Sequence, residues 1–276
     1  MRFGNSMVLM LTAVMVWSFL NASAQENKDG DKAKSACEMY QEAMAMTQES
    51  LDQEVLLKAI SLLEDASRLD PGREEIWVEL SDVYWEYGDS LPKETKEQRN
   101  VRLEYFDKGM SAGRKAREIN PDSVGGLYWE TTNMASGGEM KGVLSSLWMF
   151  PTLLENMDKV DDMDDFYEYG AVDRFWSEVS VRIPVWITKR FGYTLEERAE
   201  DLKEDIKREP RHFGNYTYLA RIYWKMKNKD QALKALEYVL THDPADFPEK
   251  KADNINEQKA AKRMWKEYTG KDFQEK

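Results

Sequence analysis

A chain of 276 residues with 51 acidic and 39 basic side chains carries a formal charge of −12. That balance excludes nucleic acid as a partner, because neutralising a phosphate backbone needs clustered Lys and Arg. Cys37 is the single cysteine, so no intramolecular disulfide forms and packing alone must supply stability.

In chain order, Arg2 precedes an apolar run from Met7 to Leu20, and Ala22-Ser23-Ala24 supplies the small residues of a cleavage site. Residues 1–24 therefore read as a secretory signal peptide cut after Ala24. The rival reading is a retained membrane anchor, since the run approaches the shorter end of a bilayer span. No small-residue lipobox precedes Cys37, which argues against a lipid anchor. The mature chain is expected to be periplasmic or secreted, with residues 25–39 as a linker and the start of the first helix.

Beyond residue 33 the chain reads as helix, with apolar residues recurring at three- and four-residue spacing and no alternating β-branched segment. Asp70-Pro71, Asn120-Pro121, Glu209-Pro210 and Asp243-Pro244 each close an amphipathic run, because proline disfavours helical geometry in the residue before it. One phrase recurs. Tyr216-x2-Leu219-Ala220-x2-Tyr223, with Ala232-x3-Leu236 and Pro244 following, repeats the opening spacing of Trp77-x2-Leu80-Ser81-x2-Tyr84. These are the spacings of tetratricopeptide repeats, helix-turn-helix units of about 34 residues.

Residues 40–121 are expected to hold two such repeats, the first with Ala59, Leu63 and Ala66 on its second helix. The second has a polar loop from Asp89 to Lys96 and a return helix from Val101 to Ile119. Gly109, Gly113 and Ala116 form a small-residue stripe on that helix, which predicts close helix contact. Residues 122–209 form an irregular helical middle, where Gly137-Gly138 reads as a flexible junction. Helices are predicted over Met140 to Val160, Phe166 to Val181 and Leu195 to Arg208, the last opened by a Thr194-x-x-Glu197 capping box. An aromatic stretch runs through Trp186, Phe191 and Tyr193. The clearest repeat spans 210–246. Residues 247–276 supply a capping helix from Ile255 to Tyr268, with Ala260, Met264 and Trp265 packed inward and a charged outer face. The expected fold is an all-α solenoid of antiparallel helix pairs.

Catalytic and cofactor chemistry finds few residues to use. His212 and His242 stand next to helix boundaries without a second ligand at metal spacing, and read as surface or capping residues. The acidic run Asp158, Asp161, Asp162, Asp164 and Asp165 lacks the glycine and closing glutamate of a calcium loop. No metal, cofactor or catalytic residue is assigned.

The dipeptides Tyr84-Trp85, Tyr128-Trp129 and Tyr223-Trp224 are more informative. The tyrosines at 84 and 223 occupy the packing position of the repeat, so each following tryptophan turns by about 100° toward another face. Asp82 and Arg221 lie three residues before Trp85 and Trp224, on nearly the same faces. Asp82, Trp85, Trp129, Arg221 and Trp224 are therefore the candidate lining of a groove for a peptide, a partner helix or a small organic ligand. The competing reading packs these tryptophans against a neighbouring repeat or the middle region.

The secretory leader, Leu127-Tyr128-Trp129 after Asn120-Pro121, the Ala171 to Trp176 segment before Pro184 and the Tyr216 to Pro244 repeat together resemble the tetratricopeptide T component that accompanies TRAP transporters. The resemblance covers roughly residues 40–250. It implies a noncatalytic periplasmic scaffold that docks a solute-binding protein, forms a homo-oligomer and encloses a channel for a small apolar or organic-acid ligand. The missing lipobox departs from many members. Two other functions stay open on the residues alone: a general envelope assembly or secretion adaptor that binds peptides, and an enzyme with its site in residues 122–209.

Overall fold

The computed structural model describes residues 35–142, 144–184 and 194–274. The leader and the aromatic stretch at Trp186, Phe191 and Tyr193 lie outside them. Among the described residues the chain forms eleven α-helices and no strand. They are α1 (residues 35–49), α2 (Gln53–Leu69), α3 (Glu74–Ser90), α4 (Lys96–Ile119), α5 (Val124–Lys141), α6 (Phe150–Met163), α7 (Ala171–Arg182), α8 (Leu195–Arg208), α9 (Phe213–Lys225), α10 (Lys229–Thr241) and α11 (Lys251–Thr269). Sequential helices pack against one another in pairs. None is long and apolar enough to cross a membrane.

Periodicity explains the core. Leu56, Ala59, Leu63 and Ala66 are fully buried on one stripe of α2, and Ala220, Ile222, Ala232 and Leu236 do the same between α9 and α10. Each fully buried Leu is worth roughly 2 kcal/mol against exposure. Thr95 caps α4 and Thr194 caps α8, both in reciprocal capping boxes; the second matches its sequence expectation.

The closest approach is between α4 and α5. A Cβ at Gly113 would lie 2.7 Å from the Glu130 nitrogen and 2.9 Å from the Gly126 oxygen. At Gly109 it would fall 2.3 Å from Asn133 Oδ1. The space freed there is used by a buried polar lock. Ser81 donates to the Gly109 carbonyl at 2.7 Å, and the Asn133 amide donates to the Ser81 and Trp129 carbonyls at 3.1 and 2.9 Å. Three helices are thereby held in one register.

The middle region departs from expectation. Gly137 and Gly138 do not break the chain: α5 runs through both, and Gly137 faces Leu103 of α4 closely enough that a Cβ would sit 3.3 Å from it. The expected helix from Met140 to Val160 instead ends at Lys141, where Gly142 takes φ 108°, and resumes through a 3₁₀ turn at Leu144–Met149 into α6. The expected Phe166 to Val181 helix is broken too. Glu168, Tyr169 and Gly170 adopt φ 46°, 60° and 89° before α7 begins. Gly170 could not be replaced cheaply, because a Cβ there would meet the Asp205 carboxylate of α8.

Helix α4 also begins five residues before expectation, and α11 four. On α11 the buried residues are Ala252, Asn254, Ala261 and Met264, with Trp265 partly buried beside them; Ala260 borders the interior of the solenoid instead.

Gly113→Ala should destabilise the fold by about 1–3 kcal/mol, since overpacking must push α4 from the α5 backbone. Gly72→Ala, with nothing within 4 Å of the added methyl, is the matched control. Urea midpoints of the two variants check this.

Candidate functional site

Alternate helices share one face. Side chains from α3, α5, α7, α9 and α11 converge on a cavity of about 760 Å³, while α2, α4, α8 and α10 mainly back them. The N-terminal end of α2 and the middle of α11 border the same cavity. Lys251 and Lys259 of α11 pair with Glu49 and Asp52 at 2.6 and 3.4 Å, so the last helix reaches the first repeat. The inner face of the solenoid thus becomes a chamber, within the roughly 300–1,000 Å³ range of small-molecule sites.

Four of the five residues singled out from the sequence border this chamber: Asp82, Trp85, Trp129 and Arg221. The Trp85 indole donates to Ser136 Oγ at 2.9 Å, and its ring lies 5.6 Å from that of Trp129. Both tryptophans also pack into the apolar cluster of α5, α6 and α7. Packing and lining are therefore two faces of the same side chains. Trp224 is the exception. It stacks flat on Tyr268 of α11 at 3.8 Å, with Lys229 over its ring, and does not border the chamber. The terminal helix, absent from the earlier repeats, takes up the face that its sequence position pointed outward.

One side of the chamber is a matched ion-pair relay. Glu178 accepts from Arg221 at 2.7 Å and from Arg182 at 2.5 Å, and Arg182 reaches on to Glu139. Burial works to raise the Glu178 carboxyl, but Arg221 and Arg182 outweigh it and hold it below its usual range. Arg102 is engaged with Asp89 and with the carbonyls of Asp89 and Leu91.

The other side is acid-rich. Glu79, Asp82 and Glu86 recur at three and four residues along α3, and Asp253 and Glu257 stand on α11. Glu168 comes from the left-handed turn. Its position carries strain, since two consecutive non-glycine residues with positive φ cost about 1 kcal/mol or more each. Arg174 holds that turn by donating to the Glu168 and Tyr169 carbonyls at 2.6 and 2.8 Å and to Asn215 at 2.7 Å. Lys250 pairs with Glu168. Burial opposes its charge, but Asp253 and Glu168 raise its pKa above the usual lysine range.

One ammonium does not balance so many carboxylates. Burial pushes Glu79 up to about 7, with Glu168 and Asp253 adding to the rise against Lys250. Asp82 and Glu86 are pushed well above the usual carboxylate range, first by burial and then by their acidic neighbours. Asp82 Oδ1 is buried with no hydrogen-bond partner. Only Asp82 of this stripe was singled out from the sequence; Glu79 and Glu86 were missed. Its spacing on α3 was visible, but such a stripe on an isolated helix reads as solvated.

Only one of the two histidines has the surroundings that its boundary position predicted. His242 is an exposed cap of α10, as expected, and stacks on Tyr238. His212 is not on the surface: it is 5% exposed, stacked on Tyr169 at the chamber edge. Burial, Arg174 and Lys250 together depress its pKa well below the ordinary value. The charged face of α11, expected to cap the stack toward solvent, turns Asp253 and Glu257 into the chamber. Among the described residues no group of three or more His, Cys, Asp or Glu is arranged to hold a metal ion.

A thermophilic tetratricopeptide protein of Thermus thermophilus superimposes with a TM-score of 0.54 at 13% identity, covering 84% of this chain and 98% of its own. The type IV pilus biogenesis factor PilW reaches 0.48 at 17% identity, over 84% of this chain and 92% of its own. The tetratricopeptide protein YrrB, described with an unusual peptide-binding site, reaches 0.39 at 14% identity, over 89% and 97%. No family model matches the chain, and no curated protein matches its sequence. The fold is a tetratricopeptide-type α-solenoid.

The chamber acids link stability to pH. Their pKa values are raised on folding, so the folded chain holds protons that the unfolded chain has already lost, and stability falls as pH rises through the folded values. His212 acts in the opposite sense, but only below its unfolded value of about 6.5. Between pH 6.5 and 8 the carboxylates act alone, and a single group near 7 accounts for about 1 kcal/mol. The unfolding temperature should drop by several degrees over that interval, and Asp82→Asn should raise it at pH 8. Calorimetric scans at the two pH values check both.

Proposed function

We propose that this protein is a noncatalytic extracytoplasmic scaffold whose inner chamber holds a small organic ligand while its outer surface docks a protein partner, in the manner of an accessory to a TRAP-type transporter. The observation that supports it is the chamber. Its walls combine stacked tryptophans with fixed charges, the composition by which ligand pockets join apolar burial to a few orienting polar groups. The apolar run at Met7 to Leu20 supports an extracytoplasmic address, and the resemblance around Leu127-Tyr128-Trp129 supports the transport context.

The ion pairs from α11 to the first repeat favour a compact ligand over an extended peptide, which would need an open trough. A partner surface must then lie outside the chamber. Trp148 in the 3₁₀ turn before α6 is 78% exposed, far more than any other large apolar side chain among the described residues. Tryptophan is enriched among the few residues that carry most of the energy of a protein interface.

The tagged chain, cross-linked in its own host, should recover an extracytoplasmic solute-binding protein, and Trp148→Ala should lower that recovery at least tenfold without altering the melting curve. Recovery of outer-membrane or secretion components in its place would support the adaptor function and sink the transport reading.

A further inference from the structure

We propose that the chamber is a site for a linear polyamine: Asp82 and Glu86 of α3, faced by Asp253 and Glu257 of α11, take the ammonium groups, and Trp85 and Trp129 take the methylene chain. This deepens the reading of the chamber as a ligand site and rests on it.

Charge balance is the first argument. Four of the five arginines that border the chamber are already committed, and the fifth, Arg263, is exposed to solvent. Arg182 and Arg221 are paired with Glu178 and Glu139, and Arg102 with Asp89. Arg174 is engaged by two carbonyls and Asn215. The organic acid implied by the family resemblance would have to displace one of these internal partners or be held by the exposed Arg263 alone. On the opposite wall, Asp82, Glu86, Glu168 and Asp253 share Lys250, with Glu79 close behind them in the same field. The unmet demand there is for cations.

Hydrogen bonding makes the same demand independently. Asp82 Oδ1 is a buried acceptor without a donor, and an orphaned acceptor costs about 1–3 kcal/mol. Among the described residues Glu86 accepts no hydrogen bond and makes no ion pair. An ammonium group carries three donors and a charge.

Spacing and the aromatic wall then select among cations. Asp82 and Glu86 stand one helical turn apart, about 6 Å along the axis, which suits two amines separated by a four-carbon chain. Trp85 lies between them in sequence, and Trp129 stands 5.6 Å from it. An indole face attracts a desolvated cation and covers its alkyl chain. Glu257 already accepts from Thr217 at 2.6 Å, which fixes its carboxylate in place.

The carboxyl groups held up by burial and by one another would lose protons to the solvent when a cation binds beside them. Binding should therefore release protons, and should weaken on acidification as Glu79, Asp82, Glu86 and Asp253 take them back. Asp89, Glu168, Glu257, Lys250, Arg174, His212, Lys259 and Arg263 are the other titratable and charged groups around this wall.

Isothermal titration of the purified chain with spermidine, at 150 mM salt and pH 7 in two buffers of different ionisation enthalpy, tests the assignment. The expected result is saturable binding with buffer-dependent heat, at least tenfold weaker at pH 5.5. It should also be at least tenfold weaker in Asp82→Asn/Glu86→Gln. That double variant is isosteric and removes like-charge repulsion, so it should fold; its melting curve is the control. Glutarate is the counter-probe. Spermidine heats that are unsaturable, independent of buffer or unchanged in the double variant would overturn the proposal as surface attraction to an acidic protein. Binding of glutarate and not spermidine would overturn the cation assignment and leave the chamber a ligand site. Binding of neither would remove the chamber as a ligand site altogether, and the partner surface at Trp148 would stand on its own test.

Discussion

The chamber depends on one buried amide. Asn254, 1% exposed, accepts from the Phe213 backbone N–H at 2.9 Å and donates to the Arg211 carbonyl at 2.9 Å. Both partners belong to the start of α9, where an N–H without a helical acceptor would otherwise be orphaned. The pair of bonds locks the beginning of α11 to the beginning of α9. One turn further on, Thr217 donates to Glu257 at 2.6 Å and fixes the rotation of α11 as well. With register and rotation set, Asp253 and Glu257 have one direction to point. A solenoid without this lock would keep its repeats and lose its enclosure.

Enclosure changes the electrostatics of every group inside it. A carboxylate stripe at Glu79, Asp82 and Glu86 on an open helix would be solvated and nearly free of cost. Facing Asp253 across a chamber, the same stripe must hold protons or meet cations, because unpaired buried charge costs several kcal/mol. The relay through Glu139, Arg182, Glu178 and Arg221 shows the chain solving that problem internally on one wall. The other wall is left short of positive charge, next to a turn whose backbone is itself strained at Glu168 and Tyr169.

Legibility in the sequence follows from how local each cause is. The helix pairs were readable because burial at Ala59, Leu63, Ala66, Ala220 and Leu236 repeats with the helix period, and the approach of α4 to α5 because Gly109, Gly113 and Ala116 repeat likewise. Gly137-Gly138 was misread because glycine breaks an isolated helix, whereas here tertiary contact with α4 overrides propensity. Trp85 and Trp224 occupy the same offset in two copies of one phrase and end in different places. The difference lies in α11, which offers Tyr268 to one and nothing to the other. His212 and the rest of the acid stripe were missed for a related reason: both are buried only by elements remote in sequence, the turn at 168–170 and the closing helix.

That remoteness bears on why the acidic wall persists as an exception to good packing. On the neighbouring face Ser81 donates to the Gly109 carbonyl and the Asn133 amide donates to two carbonyls, while Asn133 Oδ1 is left without a partner. Asp82, one residue from Ser81, is left with an orphaned oxygen and a raised pKa. The α3–α4–α5 lock uses Ser81, about 100° round the helix from Asp82, and needs no charge at position 82. Backbone strain and uncompensated charge gathered at one wall of a cavity is the pattern of a binding site rather than of a core.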